Sequence, residues 1–428
     1  MTYNEATDFL FIQLPMFQNI GPGAYKPGLD TTLALSERFG NPHRRLRVIH
    51  VGGTNGKGST SHSLAAVMQS AGYRTGLFTS PHLVDFRERI RVNGEMIPES
   101  RVIDFVERYM SMADNDLHPT FFELTTVMAM EYFASCGVDV AIIEVGLGGR
   151  LDSTNIVIPE LSVITNISYD HTALLGDTLP EIAAEKAGII KYGVPVVIGE
   201  AEGEVRKVFE RRAAELSAPI VFASDRNVYT DVSENGDSLV YTGTCYGKVE
   251  CDLSGDCQPR NFATVMCAIN ILVGKGWKLS ANSVVNGLKN VCSITGLMGR
   301  WMILNHSPLT VCDTGHNEGG WRYLAPRIAR HPGRRHVVVG FVNDKDIDTI
   351  LSMMPVDNTR YYFTQASVRR ALPAEQLRDR ALQFGLHGEV YSSVAEAYRA
   401  ALNKATDEDM IYVGGSTFIV ADLLAELN

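Results

Sequence analysis

The feature that most constrains the fold is a glycine-rich loop between a predicted strand and a predicted helix. Residues 48–51 (Val-Ile-His-Val) are apolar, and residues 61–71 carry apolar side chains at helical spacing. Glycines in such a loop let successive backbone N–H groups face a phosphate, and the following helix adds its positive end. The pattern predicts a nucleoside triphosphate site whose loop comprises Gly53, Thr54, Asn55, Gly56, Lys57, Gly58, Ser59 and Thr60.

The residue types in this loop fit phosphate chemistry. Lys57 would place a charge on the β- and γ-phosphates, and Ser59 or Thr60 would supply a hydroxyl near a metal ion. The common pattern G-x-x-x-x-G-K-[ST] is met from Gly52 only if Gly58 is allowed as an extra residue. A glycine-rich turn with an incidental lysine is the alternative, and the flanking strand and helix argue against it.

The chain alternates predicted strands and helices. Buried strands are predicted at 138–145, 161–166 and 194–198, with helical stretches between them, which indicates a parallel sheet covered on both faces. Residues 228–253 instead alternate around Asn235-Gly236, a hairpin signal. We expect an α/β fold: a P-loop parallel-sheet ATPase domain with a small antiparallel annex.

A second strand set follows the glycine-rich segment 296–300. Strands are predicted at 301–304, 309–312, 336–340, 360–363 and 410–413, and a helix at 418–427 ends the chain. This alternation indicates a C-terminal Rossmann-like α/β domain. We therefore place one domain at 1–296 and a second at 297–428, and no internal repeat is evident.

Composition narrows the classes of partner and compartment. The chain has 428 residues and a formal net charge of −10, which argues against a surface for nucleic acid or anionic lipid. It shows no secretory signal and no apolar run of about eighteen residues, so a cytoplasmic protein is expected. Seven cysteines without a C-x-x-C pair fit reduced thiols, and the even spacing of Cys245, Cys251 and Cys257 matches no zinc pattern.

Polar residues follow several of the predicted strands. Glu144 ends one buried strand, where a carboxylate can bind Mg²⁺, cap a helix or meet an arginine. His171 follows the next strand, and its position near Glu144 favours a metal role over a structural imidazole. Lys186 could be a surface lysine or part of the site. Asp313 follows a strand of the second domain, so the loops of both domains are expected to face one cleft.

These blocks, in this order, resemble the folylpolyglutamate synthase and dihydrofolate synthase family of the Mur ligase superfamily. The resemblance covers most of the chain, and its most specific segments are 53–59, 79–83 (Thr-Ser-Pro-His-Leu), 144–155, 170–171, 185–190 and 313–317. It implies ATP-driven amide formation, in which a pterin-bearing carboxylate is activated as an acyl phosphate and captured by the amino group of L-glutamate.

The resemblance also implies roles for individual residues. The catalytic group would be Lys57, a carbamylated Lys186, Arg300 and His316. Metal ligands would be Ser59, Ser80, Glu144, His171 and the carbamate of Lys186. Asn261, Arg300 and Asp313 would lie near ATP, and Arg150, Asp152, His316 and Ser416 near the substrates. The implied cofactors are ATP and one or two Mg²⁺ ions, with a monovalent cation such as K⁺ left open, and the implied state is a monomer.

Three positions depart from the family pattern. Gly52 stands where the family usually has alanine, Thr314-Gly315 replaces glycine-alanine, and Cys257-Gln258 replaces a histidine-glutamine pair, which weakens the placing of adenine contacts around Asn261. The segment 20–26 (Ile-Gly-Pro-Gly-Ala-Tyr-Lys) matches only loosely and is a candidate for pterin specificity.

Three hypotheses follow. The first is a ligase that adds glutamate to dihydropteroate, to reduced folates, or to both. The second is a peptidoglycan ligase, which usually carries an additional N-terminal nucleotide domain for which about fifty residues before the loop leave no room. The third is a non-enzymatic nucleotide switch, which would not need Glu144, His171, Lys186 and Asp313 beside Lys57.

Overall fold

A computed structural model describes residues 1–16, 26, 28–112, 117–343 and 346–427. They form two units: Met1–Asp252 with Gln258–Leu297, and Leu253–Cys257 with Met298–Asn428. The sequence predicts a single division at residue 297, whereas five residues from within the predicted first domain belong to the second unit. Most of the candidate pterin segment, residues 20–25, lies outside the described residues.

The first unit contains two sheets within its described residues. Their strands are β1 Val48–Gly52, β2 Thr75–Phe78, β3 Ile90–Val92, β4 Glu95–Met96, β5 Val140–Glu144, β6 Leu161–Ile164, β7 Val196–Ile198, β8 Ile220–Phe222, β9 Asp231–Asn235, β10 Ser238–Thr244 and β11 Gly247–Cys251. The large sheet has the order β4-β3-β2-β5-β1-β6-β7-β8, and the small one β11-β10-β9. Strands β2, β5, β1, β6, β7 and β8 run parallel.

The strands predicted in this unit are present, but their first or last residues differ from the prediction. The antiparallel annex is confirmed: Ser238 pairs with Asn235, so Gly236 and Asp237 form the two-residue turn. The predicted parallel sheet is extended at one edge by two antiparallel strands, because β3 runs antiparallel to β2 and to β4.

Helices surround these sheets. They are α1 Tyr3–Asp8, α2 Asp30–Arg38, α3 Lys57–Ser70, α4 Glu99–Ser111, α5 Phe121–Cys136, α6 Thr172–Leu175, α7 Leu179–Ala187, α8 Gly203–Glu215, α9 Gln258–Gly274, α10 Ala281–Lys289 and α11 Val291–Thr295. Their ends follow from local chemistry: Thr120 and Glu123 form a capping box at the start of α5, and Gly137 ends that helix in the left-handed region.

The second unit has one sheet among its described residues. Its strands are β12 Met302–His306, β13 Leu309–Asp313, β14 Arg335–Val339, β15 Thr359–Phe363, β16 Gly388–Val390 and β17 Met410–Gly414, in the order β12-β13-β17-β14-β15-β16. Its helices are α12 Glu318–Ala329, α13 Ile347–Met353, α14 Ala374–Leu382, α15 Val394–Lys404 and α16 Thr417–Leu427. Strand β12 is antiparallel to β13, and the others run parallel.

Apolar side chains fill each unit separately. In the first, Phe78, Phe133 and Ile143 belong to one buried cluster, and in the second Trp321, Tyr361 and Tyr412 belong to another. All seven cysteines lie in the described part of the chain and are free thiols. Across the described residues, no helix is both long and apolar enough to cross a membrane.

Candidate active site

The phosphate loop is shaped by contacts with the end of β6. Thr54 N donates to Asn166 O at 2.9 Å, and Asn55 N donates to Asn166 Oδ1 at 3.0 Å. Gly53 has φ 134°, and a Cβ there would lie 1.9 Å from Thr165 Oγ1. A side chain at Gly53 would therefore collide with the neighbouring strand, which explains the glycine by packing as well as by backbone conformation.

Two lysines meet at this loop. Lys57 Nζ donates to the carbonyls of Gly53 (3.2 Å) and Thr54 (2.9 Å), and Lys186 Nζ donates to the same Gly53 carbonyl at 2.9 Å. Burial, reinforced by the charge of Lys57, lowers the pKa of Lys186 to about 7. Near neutral pH a large fraction of Lys186 is thus an uncharged amine, which is the nucleophilic form of the group.

The residues predicted to bind metal follow neighbouring strands. Strands β2, β5, β1 and β6 are adjacent and parallel, so their carboxyl ends share one edge of the sheet. Ser80 follows β2, Glu144 ends β5 opposite Val51 of β1, and His171 follows β6 with φ 51°. Ligands bind at such carboxyl edges in open α/β sheets.

The donor types at this edge suit a hard cation. Hydroxyl and carboxylate oxygens dominate the set, and Mg²⁺ prefers oxygen ligands while retaining several waters. Ser59 at the start of α3 is 2% exposed. No group of three or more His, Cys, Asp or Glu side chains in the described ranges could hold a metal by itself. The predicted set therefore relies on Ser59, Ser80 and a modified Lys186 as well as on Glu144 and His171.

Asp152 organises the loop after β5. Its Oδ2 accepts from Leu147 N at 2.7 Å, and its Oδ1 accepts from Thr154 N at 2.9 Å and from the Thr154 hydroxyl. Burial raises the pKa of Asp152. Arg150 forms an ion pair with Glu185 at 2.8 Å and is largely exposed. These contacts give Asp152 a positioning role in its own loop, and substrate contact by Arg150 and Asp152 stays a prediction.

The first turn of α9 contacts the other end of the phosphate loop. A Cβ at Gly56 would lie 2.2 Å from Asn261 Oδ1, so Asn261 packs directly against the loop. Its Nδ2 donates to Gln258 Oε1 at 2.9 Å, and Gln258 Nε2 donates to Ser59 Oγ at 3.3 Å. Sequence reasoning assigns no role to Gln258; two amides three residues apart at a helix start are the signal that could have found it.

In the second unit, Asp313 fixes the chain around it. Its Oδ2 accepts from Trp301 N at 2.6 Å and its Oδ1 from Gly315 N at 2.7 Å. Burial raises the pKa of Asp313, and the charge of Arg300 opposes that shift. Arg300 donates to the Thr314 hydroxyl and to Gly299 O. The predicted pair Arg300 and Asp313 is thus brought to the end of β13.

Three further residues belong to this edge of the second sheet. His316 Nδ1 lies 3.0 Å from Thr314 O, and because a carbonyl oxygen only accepts, Nδ1 is the donor of this hydrogen bond. Ser416 follows β17, which pairs with β13, and its Oγ accepts from Ile419 N at 3.3 Å. Burial raises the pKa of Cys257, where the resembling family has histidine, to about 12, so this thiol stays protonated.

Two family models match this chain. Residues 51–269 match the Mur ligase middle domain, and residues 299–417 match the Mur ligase glutamate ligase domain. The chain is thus built from the two domains of a Mur-type ATP-dependent ligase. The dihydrofolate synthase/folylpolyglutamate synthase of Escherichia coli K12 is 33% identical over 99% of this chain and 97% of its own length. This chain belongs to the dihydrofolate synthase/folylpolyglutamate synthase family.

Solved structures agree with this placement. E. coli FolC in complex with DHPP and ADP has a TM-score of 0.84 at 32% identity and covers 100% of this chain and 98% of that one. The Yersinia pestis bifunctional folylpolyglutamate synthase/dihydrofolate synthase with AMPPNP and a Mn ion has a TM-score of 0.83 at 30% identity, covering 100% and 98%. The predicted fold class and family are confirmed.

Proposed function

We propose that this protein uses ATP to join L-glutamate to dihydropteroate, to reduced folates, or to both. The observation that carries the proposal is the phosphate loop with Lys57 and a buried Lys186 on one of its carbonyls, in a chain that matches a FolC structure over its full length. A nucleotide switch would need the first lysine and not the second.

The chemistry proceeds in two displacements. A carboxylate oxygen of the pterin substrate attacks the γ-phosphorus, the bond to the β-phosphate oxygen breaks, and ADP leaves. The glutamate nitrogen then attacks the acyl carbon, phosphate leaves, and the nitrogen loses a proton. Activation is needed because a carboxylate and an amine do not condense in water. A bound divalent cation would neutralise charge on the phosphate oxygens.

The chain's own groups serve these steps. Lys57 exchanges its loop carbonyls for phosphate oxygens, and Arg300 neutralises charge that develops during phosphoryl transfer. His316 accepts the amine proton at Nε2, since its Nδ1 is held by a backbone carbonyl. Ser416 contributes to the glutamate site. Ser80, Glu144 and His171 hold the cation together with Ser59.

Lys186 is proposed to carry a carbamate. Its uncharged amine adds to CO₂, an N–C bond forms and one proton is released, which turns a neutral amine into an anion that can help hold a second metal. Incubation with ¹³C-bicarbonate should give a carbamate carbon signal by NMR in the wild type. The signal should vanish in Lys186→Arg and persist in Lys207→Arg, an exposed control. A wild-type spectrum without the signal would contradict the modification.

The function is tested by an ATP assay. Purified protein receives L-glutamate with either dihydropteroate or tetrahydrofolate, and ADP release is measured with each component omitted in turn. We expect release only when both the pterin and glutamate are present, and the two pterins separate the two activities. Release of ADP that ignores either co-substrate would overturn the proposal. Addition of K⁺ or Na⁺ to the same assay tests the monovalent cation.

A further inference from the structure

The turn of chain from Gly56 to Ser59 is held from one side by two buried amides. Gln258 and Asn261 lie on the first turn of α9 and are 3% and 6% exposed. Asn261 packs against Gly56, which has φ 82°, and Gln258 reaches Ser59. We call this pair the amide clamp. It touches the loop at both ends of the turn that opens α3.

Hydrogen bonds determine how each amide of the clamp is oriented. Asn261 Nδ2 donates to Gln258 Oε1 at 2.9 Å, which makes Oε1 the acceptor and turns Gln258 Nε2 towards Ser59 Oγ at 3.3 Å. Ser59 Oγ therefore accepts a hydrogen bond through one lone pair. Its second lone pair and its proton remain for other partners. Ser59 is 2% exposed, so its hydroxyl has little access to water as an alternative partner.

We propose that Gln258 is a positioning residue that sets the Ser59 hydroxyl for metal-bound nucleotide. With one lone pair taken by Gln258, the other would be available to a cation and the proton to a phosphate oxygen. This inference rests on the proposed function, and it assigns Gln258 a task distinct from contact with adenine. The hydrogen bond from Gln258 to Ser59 would contribute little to the binding of nucleotide without the cation, because its effect passes through Ser59 to the cation.

Two substitutions separate this role from simple support of Asn261. Gln258→Met keeps the size and removes both hydrogen bonds. Gln258→Glu keeps the acceptor for Asn261 Nδ2 and removes the donor to Ser59. A matched control is Asn286→Leu, which removes an amide-to-serine bond at the far end of α3, where Asn286 Nδ2 donates to Ser70 Oγ at 3.4 Å.

The readout is AMPPNP affinity by calorimetry, with Mg²⁺ and with EDTA. In both Gln258 variants we expect the gain in affinity from Mg²⁺ to fall roughly three- to tenfold, the usual worth of one hydrogen bond, while affinity in EDTA stays within about twofold. Asn286→Leu should keep the full gain. The binding experiment needs neither pterin nor glutamate, so its result is independent of the ligase assay.

Two outcomes would overturn the inference. If Gln258→Glu restores the wild-type gain, Gln258 acts only by holding Asn261. If both Gln258 variants lose affinity equally with Mg²⁺ and with EDTA, the amide supports the fold of the loop and not the metal-dependent contact. Thermal unfolding of each variant accompanies the titrations and identifies any loss of folded protein.

Discussion

Two lysine side chains at the phosphate loop of the first unit contact the same backbone carbonyl. Lys57 and Lys186 both donate to the Gly53 carbonyl. Burial lowers the pKa of Lys186, and the neighbouring charge of Lys57 adds to that effect. Two cations in contact with one carbonyl favour added negative charge, which we propose comes from phosphate at Lys57 and from a carbamate on Lys186.

Substitution of Lys57 tests the phosphate contact. Lys57→Ala should lower kcat/KM for ATP by at least about a hundredfold, the usual cost of removing one preorganised donor from a developing charge. The measurement is ADP release under saturating pterin and glutamate. Lys207→Ala, an exposed lysine paired with Glu204, is the control and should keep full activity. Intact activity in Lys57→Ala would show that the loop is wrongly assigned.

His50 predicts a pH dependence of stability. It is fully buried on β1, and burial lowers its pKa from 6.5 to about 3. Between these values the unfolded chain binds a proton that the folded chain refuses, so stability falls as pH falls. From pH 7 to pH 5 the expected loss is about 2 kcal/mol. Urea unfolding at pH 7 and pH 5 measures this loss of unfolding free energy. The loss should be smaller by that amount in His50→Asn than in the wild type, and His387→Asn, an exposed control, should behave like the wild type.

Equal losses in the wild type and in His50→Asn would contradict this account. The comparison uses the change between two pH values, so any constant cost of the substitution cancels. His50 Nε2 lies 2.8 Å from Thr154 Oγ1 in the folded state.

At the scale of elements, the segment Leu253–Cys257 is tied to helix α12. Asp256 forms one ion pair with Arg327 and a second with Arg330, the latter at 2.6 Å. The Arg327 guanidinium also lies 4.6 Å from the centre of the Trp301 ring. The side chain of Arg327 is only 13% exposed. Removing Asp256 would break an ion pair to a largely buried guanidinium, which costs more than breaking an exposed pair.

Asp256→Ala should therefore destabilise the second unit by about 1–3 kcal/mol. The fluorescence of Trp301 and Trp321, both in this unit, reports its unfolding in urea. The control is Glu318→Ala, which breaks the more exposed pair with Arg322 on the same helix and should cost below about 1 kcal/mol. If the two variants unfold at the same urea concentration, Asp256 does not hold the segment.

Sequence patterns predicted the elements whose signals are local. The helix after the loop forms, and so do the buried strands predicted at 138–145 and 161–166, which end at Glu144 and Ile164. The hairpin predicted from Asn235-Gly236 also forms, with its turn one residue later, at Gly236-Asp237. The strands Ile90–Val92 and Glu95–Met96 were missed because runs of three and two residues have no readable period and exist only through their partners. Strand β2 was missed because Thr75-Gly76 interrupts its apolar run.

The site was predictable in its residue types and not in its contacts. Lys186 reads as an ordinary helical lysine, and only the fold buries it against Gly53. Gln258 is 199 positions from Ser59, so no local pattern could pair them. Asp152 lies in the segment 144–155, which carries the family resemblance, yet its carboxylate accepts hydrogen bonds from N–H groups of its own loop.

At the scale of the whole molecule, the chain is an ATP-dependent ligase of two Mur-type domains, each with its own sheet and core. The phosphate loop and the strand ends that accompany it lie entirely in the first unit, and Arg300, Asp313, His316 and Ser416 lie in the second. Nucleotide binding should therefore be visible in the stability of the first unit.

Ligand binding gives the corresponding prediction. At about a hundredfold excess over Kd, AMPPNP with Mg²⁺ should stabilise the folded state by about 2.7 kcal/mol, because it binds only the folded loop. Differential scanning calorimetry measures the shift in Tm. EDTA should remove most of the shift, and Lys57→Ala should remove it with or without metal. An equal shift in Lys57→Ala would place the nucleotide elsewhere.

Residues 253–257 belong to the second unit but lie within the sequence of the first, and this affects how the two units can recombine between genes. The second unit is encoded in two pieces, one of them five residues long and embedded in the gene region of the first. A recombination event that exchanged everything after residue 297 with a relative would bring in a new α12 but leave Asp256 behind. Such an exchange would keep both ion pairs only if the incoming helix also carried bases at 327 and 330, so we expect these distant codons to change in concert with the codon for the acid at 256.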